Sequence, residues 1–207
     1  MPKVGYSEEE REQIRQMLVT TALDLMAKQG IRHTTLEQVY SAVGISRSFF
    51  YSFFATKEDL IVETLYQQQP KILAYARRLM EDPSLDWREG VRSFLSACCY
   101  GERSGIAVMT VEDQQLLFSR LSQESRRTFR QRQRQLFGQL LECFGVRASN
   151  ARIDLFTNIS LTAMIVRHAI PDTLPFFVPQ AAEETVRFQI EAILNTLEQM
   201  RKESLQS

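Results

Sequence analysis

Glycine and proline do most to limit what this chain can fold into. Eight glycines and six prolines are spread over 207 residues, and they gather where helical patterns end. Both residues break regular structure, so their positions punctuate the chain. Between them no alternating strand pattern develops. Apolar residues recur instead at three- and four-residue intervals, which predicts an all-α protein.

The punctuation is densest in the first 60 residues. Ser7 and Glu10 stand in capping-box spacing, so two free N–H groups at a helix start can be satisfied reciprocally. Ile14, Leu18, Ala22 and Leu25 then line one face, and Gly30 closes the helix, where a left-handed residue is easiest for glycine. Thr35 and Gln38 repeat the capping spacing, opening a short helix that ends before Gly44. After Gly44-Ile45-Ser46 another short helix is expected to run through about Phe53. Thr56 caps a fourth from Lys57, with Glu58 and Asp59 in its first turn. Pro70 ends or kinks that helix. Further on, breaks are expected at Asp82-Pro83-Ser84, at the loop 101–105, at Gly145 and over 171–179. Helices fill Trp87 to Tyr100, Ser125 to Phe144, Ser149 to before Pro171, and the segment from Pro179, which fades at its C-terminal end. Gln67-Gln68-Gln69 is too short a run to count as low complexity.

Charge excludes little. Twenty-five basic residues balance twenty-five acidic ones, and the first 60 residues hold seven Lys/Arg against eight Asp/Glu. Any basic surface must therefore come from where charges sit, not from their sum. No apolar run approaches the ~20 residues a membrane-spanning helix needs. The opening MPKVGYSEEE is acidic rather than basic and then apolar, so no signal peptide and a cytoplasmic location are expected. Three cysteines without CxxC spacing fit that compartment.

Three helices in the first 55 residues, the last two joined by a tight glycine turn, form a helix-turn-helix unit. In the third helix, Ile45, Phe50 and Phe54 can face inward while Arg47, Ser48, Tyr51 and Ser52 face outward, with Ser46 at the N-terminal end. Such a strip suits a DNA groove, because arginine can fork onto guanine and hydroxyls can reach phosphates or base edges.

The landmarks Gly30, Thr34-Thr35-Leu36, Val39, Ala42-Val43-Gly44-Ile45-Ser46-Arg47, Phe50-Tyr51, Phe54, Lys57-Glu58 and Leu60 resemble the N-terminal signature of the TetR family of bacterial transcriptional regulators. The resemblance covers about residues 10 to 62; beyond it the chain is similar only in being helical and of fitting length. It implies a helix-turn-helix DNA-binding domain over 1–56 and a larger helical ligand-binding and dimerisation domain over 57–207, linked by the helix from Lys57. A homodimer on a palindromic operator is implied, usually repressing until a small molecule binds the C-terminal domain. Carried over by position, Thr35, Tyr51 and Lys57 would hold phosphates, and Ser46, Arg47, Ser48, Phe49 and Ser52 would lie in or near the major groove. Glu37 sits where some members touch DNA. Three positions depart from the pattern. Phe49 replaces a small residue, and either meets a thymine methyl, the slightly favoured reading, or folds back onto protein. Phe53 replaces a phosphate-binding Tyr or His, and Tyr40 replaces an Ala.

The second part offers an interface and a cavity. The helix from Ser149 is apolar on more than one face, and the last helix carries Val186, Ile190, Ile193, Leu194, Leu197 and Met200 in a stripe. Two such helices from each of two subunits can make a four-helix bundle, with Leu155, Ile159, Met164, Val186, Ile190, Ile193, Leu194 and Leu197 as candidate contacts; burial within one subunit is the alternative. Candidate cavity residues are Phe94, Cys98, Met109, Leu117, Phe118, Phe137, Leu140, Phe156, His168 and Phe176, with Phe177 beside them. Aromatic-rich pockets suit flat or greasy ligands, although each residue singly is more often plain core than pocket wall.

Other features read more plainly. Cys98-Cys99 cannot bridge without strain and has no cationic sequence neighbour, so buried thiols are expected. His33 and His168 lack metal-ligand spacing. The run RRTFRQRQRQ from Arg126 fits a solvated helix face better than a second nucleic-acid site. No nucleophile elbow, phosphate loop, metal cluster or spaced acid pair marks an enzyme, and no cofactor is expected. A chromosome-organising protein without an effector remains the alternative on the same scaffold.

Overall fold

A computed structural model describes residues 6–100, 105–168 and 178–205. Its regular elements are helices throughout, with no strand among the described residues. The expected loop at 101–105 and the one at 171–179 fall almost wholly outside them.

The first helix, α1 (Glu8–Gln29), starts at the Ser7–Glu10 capping box and turns Ile14, Leu18, Ala22, Leu23 and Met26 inward. Gly30 follows with φ +83°, a region that side chains avoid. The Thr35–Gln38 box opens α2 (Leu36–Val43), and Gly44 ends it in the left-handed conformation, φ +78° and ψ 26°. Ser46 caps α3, which is shorter than the sequence pattern predicts: its regular α-helix covers Arg47–Phe50 only. The chain continues to Phe54 in turns, with the Phe53 N–H donating to the Phe50 carbonyl at 2.9 Å and the Phe54 N–H to the same oxygen at 3.2 Å. Phe50 and Phe54 still reach the core, at 0% and 4% exposure.

The next helix, α4 (Lys57–Gln67), is capped by Thr56 through a box with Asp59. It packs on α1 and carries Leu60, Ile61 and Leu65 into the same apolar cluster. A single residue, Gln68, separates it from α5 (Gln69–Glu81), which has Pro70 in its first turn, where a missing N–H costs nothing. Then come α6 (Trp87–Cys99), α7 (Val111–Arg120), α8 (Gln123–Cys143), α9 (Asn150–His168) and, after one 3₁₀ turn, α10 (Ala182–Leu205). The last helix does not fade at RKESL; it stays helical to Leu205.

Two apolar clusters result. The smaller gathers α1 to α4 and also takes Ala107, Leu117, Leu121 and Phe129 from farther along the chain. The larger is built from α5, α6, α8, α9 and α10. Polar contacts sew it together: the Trp87 indole N–H donates to the Phe144 carbonyl at 2.9 Å. Arg88 pairs with Glu191 and Glu198, and Arg92 with Glu191, joining α6 to α10. Arginine holds Glu191 below the usual carboxylate range, chiefly through the hydrogen bond from Arg92.

This packing corrects the interface expected from the sequence. Val186, Ile190, Ile193, Leu194 and Leu197 are 0–5% exposed within the single chain. Within the single chain the stripe of the last helix is core, which favours the alternative of burial inside one subunit, although Ile193 also lines the groove between α9 and α10. Leu155 differs, at 48% exposure. Ile159 and Met164 are half-buried.

Candidate nucleic-acid interface and C-terminal cavity

At the N-terminal unit, Ser46, Arg47, Ser48, Tyr51 and Ser52 are all exposed on one side of α3 and its following turn. Ser46 Oγ accepts the Phe49 N–H at 3.2 Å and lies 3.1 Å from Ser48 Oγ. The Arg47 guanidinium sits 6.0 Å from the centre of the Tyr51 ring, and no carboxylate pairs with it among the described residues. Ser52 Oγ donates to the Phe49 carbonyl at 2.7 Å. Its proton is therefore committed, and meeting a phosphate, which only accepts, would require breaking that bond.

Two flanking residues are held by their own chain. Thr35 is exposed, but its hydroxyl and backbone both engage Gln38, whose side-chain oxygen also takes the Gln29 amide at 3.0 Å. Lys57 is half-buried, with Nζ 3.4 Å from the Ile31 carbonyl. Burial pulls its pKa below the ordinary lysine value, against the opposing pull of Glu58 and Asp113.

Phe49 bears on an open alternative. Its ring stacks on Tyr6 at 4.8 Å and meets Phe53 edge-on at 5.0 Å. Arg11 covers Phe53 at 4.8 Å and donates to the Ser52 carbonyl at 3.2 Å. The ring is taken up by protein, which favours folding back over a thymine contact. Phe53 serves as the floor on which Arg11 rests. Tyr40 packs against the N-terminal core, and Glu37 is exposed without an arginine partner among the described residues.

The second feature is a cavity of about 90 Å³ inside the larger cluster. Of the residues expected to surround a ligand, Phe94, Cys98, Met109, Phe137, Leu140 and Phe156 line it. Leu117 and Phe118 do not. They belong to the smaller cluster, which α7 helps to close with its apolar face. Phe176 and the side chain of His168 lie outside the described residues. Burial raises the thiol pKa of Cys98, and that of Cys99 to about 11, so both stay protonated. No group of His, Cys, Asp or Glu among the described residues could hold a metal ion.

Cavity and N-terminal unit share a wall. Gln68, 7% exposed, donates its side-chain amide to the Ala107 carbonyl at 3.0 Å and accepts the Ala107 N–H at 3.0 Å. Gln68, Ala107, Val108 and Met109 all border the cavity, while Ala107 also belongs to the smaller cluster. Nearby, Arg120 of α7 reaches the buried Glu58 of α4 at 2.8 Å.

A groove runs between α9 and α10, lined by Asn158, Ile159, Thr162, Gln189, Ala192 and Thr196. Phe188 also lines it, at 73% exposure.

Residues 18–64 match the family model described as bacterial regulatory proteins, tetR family. Over that segment the chain is similar to the TetR family. Among curated TetR-family relatives it is 29% identical over 104 residues to the HTH-type transcriptional regulator TcmR of Streptomyces glaucescens, covering 49% of this chain and 46% of that one. This chain thus spans about half the length of the curated relatives it matches. Solved structures extend the likeness in fold. A TetR-family transcriptional regulator from Pectobacterium atrosepticum superposes over 94% of this chain and 97% of its own, with TM-score 0.59 and 16% identity. RolR in complex with the ligand resorcinol superposes over 96% of each chain, with TM-score 0.56 and 15% identity.

Four residues of this chain are not marked by the sequence pattern. Gln68 and Gln69 sit in the glutamine run dismissed as too short to matter. The signal was three amides in succession where the flanking pattern called for apolar residues. Ser160 and Arg11 gave no signal, since their roles depend on partners distant in the chain.

Proposed function

We propose that the protein is a sequence-specific, DNA-binding transcriptional regulator, acting as a homodimer on a palindromic operator and released by a small effector in the C-terminal cavity. The observation that carries the DNA-binding part is the exposed strip on α3, with Arg47 free to fork onto a base. Arg47 and Ser48 are the groove contacts of this reading, and Tyr51 and Lys57 the phosphate contacts, Lys57 after release from Ile31. Two recognition helices would address half-sites about 34–36 Å apart. The surface that supports dimerisation is the groove between α9 and α10, with Phe188 exposed in its lining and Leu155 exposed elsewhere on α9. Repression rather than activation, cytoplasmic location and the absence of catalysis belong to the same reading. No helix among the described residues is long and apolar enough to cross a membrane.

The wall shared by cavity and N-terminal unit supports a route for release. At about 90 Å³ the cavity is well below the roughly 300–1,000 Å³ usual for ligand pockets. An effector must therefore push a wall. The segment 106–109 is the wall clasped to Gln68 through Ala107, so its displacement bears on the junction of α4 and α5 at Pro70. Leverage comes only from binding the two dimer conformations unequally.

Selection of bound DNA from a random pool tests the reading. The expected result is a palindromic winner, and Arg47→Ala losing about 1–3 kcal/mol with relaxed preference at one position. No preferred site, or an Arg47→Ala variant that only lowers the salt slope, would move the effector-free chromosome-organising reading ahead.

A further inference from the structure

Two residues that line the cavity carry a polar group without a partner. Gln69 Nε2 and Ser160 Oγ are both buried and make no hydrogen bond within the structure. Both residues line the cavity, Gln69 from the first turn of α5 and Ser160 from the middle of α9. Ser160 as a whole is 6% exposed. An amide N–H₂ can only donate, whereas a hydroxyl can donate or accept. Leaving such groups unpaired in an apolar interior is costly, and buried polar groups almost always find a partner.

The rest of the lining sets the charge. Among the described residues no Lys, Arg, His, Asp or Glu borders the cavity. The thiols of Cys98 and Cys99 are kept neutral by burial. A charged molecule would leave water and meet no counter-ion. We infer that the cavity takes an uncharged, largely apolar molecule, one aromatic ring in width, bearing a neutral oxygen acceptor, a carbonyl or hydroxyl, that Gln69 and Ser160 complete. This rests on the cavity being the effector site. Size agrees with a small ligand and an opening step: an apolar cavity of roughly 150 Å³ admits benzene, so this one must widen for even a single ring. Met109 and Met164 line it, and methionine repacks readily.

The test uses four probes of matched shape on the full chain: acetophenone, ethylbenzene, benzoate and benzylammonium. Calorimetric titration is expected to show acetophenone binding about three- to tenfold more tightly than ethylbenzene, the margin of a neutral hydrogen bond, and no heat from either ion. Gln69→Leu and Ser160→Ala should bring acetophenone down to the ethylbenzene level and leave ethylbenzene unweakened. That last comparison, with retained helicity, separates a lost hydrogen bond from a lost fold. Preference for benzoate or benzylammonium, equal binding of acetophenone and ethylbenzene, or no binding of any probe would each overturn the inference. Retention of a DNA fragment by the same samples is read separately, so failure here leaves the DNA-binding proposal standing.

Discussion

The two apolar clusters are built to different ends. Around α1 to α4 the buried threonines are satisfied: Thr34 Oγ1 donates to the Gly30 carbonyl at 2.9 Å and Thr64 Oγ1 to Leu60 at 2.7 Å, and the one unpartnered buried side-chain atom among the described residues there is Gln67 Oε1, at the end of α4. The functional groups of that unit point out. In the C-terminal cluster the interior itself is left unfinished, with empty space whose lining includes two residues with an unpaired polar group, Gln69 and Ser160. One region presents chemistry on a rigid scaffold; the other reserves chemistry in a hole. A surface reader gains from rigidity, while a cavity that must open gains from slack.

The sharpest way to break that comparison is to truncate a ring in each. Phe50, fully buried, is expected to lose about 3–5 kcal/mol as Phe50→Ala. Phe137 already borders the cavity, so it has fewer contacts to lose, and Phe137→Ala should cost roughly 1–2 kcal/mol less. Urea denaturation measures both, and equal losses would mean that the C-terminal interior is as tight as the other. Next comes Gln68→Ala, which strips both partners from the Ala107 backbone. It is expected to destabilise by about 2 kcal/mol and to blunt the effect of a bound effector on DNA affinity. Unchanged coupling in a DNA-release assay would remove Gln68 from the route. Arg11→Ala should cost about 1 kcal/mol of stability and weaken all DNA sequences alike, since Arg11 steadies the end of the recognition segment without reading it. A change in preferred sequence would instead put Arg11 in the groove. The smallest effect is chemical. Iodoacetamide at pH 8 should modify half-buried Cys143 first and reach Cys98 and Cys99 only on unfolding, as mass spectrometry of timed samples would reveal.

The same contrast governs what could be read from the sequence. Helix starts in the N-terminal unit were legible because a cap and its partner are three residues apart, as at Ser7 and Thr35. The division of Phe50 and Phe54 from Tyr51 followed from helical spacing alone. Phe49 could not be decided that way, because what holds it is Tyr6, 43 positions earlier. In α10 the apolar stripe was plain, but periodicity cannot say whether a stripe faces its own subunit or another. Here the subunit takes the stripe, and Phe188, off it, is left outside. Leu117 and Phe118 were assigned to the wrong interior because the pattern of α7 says that it is amphipathic, not what it lies on. Gln69 and Ser160 matter through a partner each lacks, which no local pattern encodes.

The smallness of the cavity carries a cost for evolution. Whatever a ligand gains from its contacts, part is consumed in prising the walls apart, so the observed affinity is the intrinsic one lowered by the scarcity of the open form. Trimming Met109 to a smaller residue would spare that expense and tighten binding. It would also let the ligand in without disturbing the neighbouring backbone, and the signal would be lost with the strain. Sensitivity and obedience thus pull against each other at a single side chain.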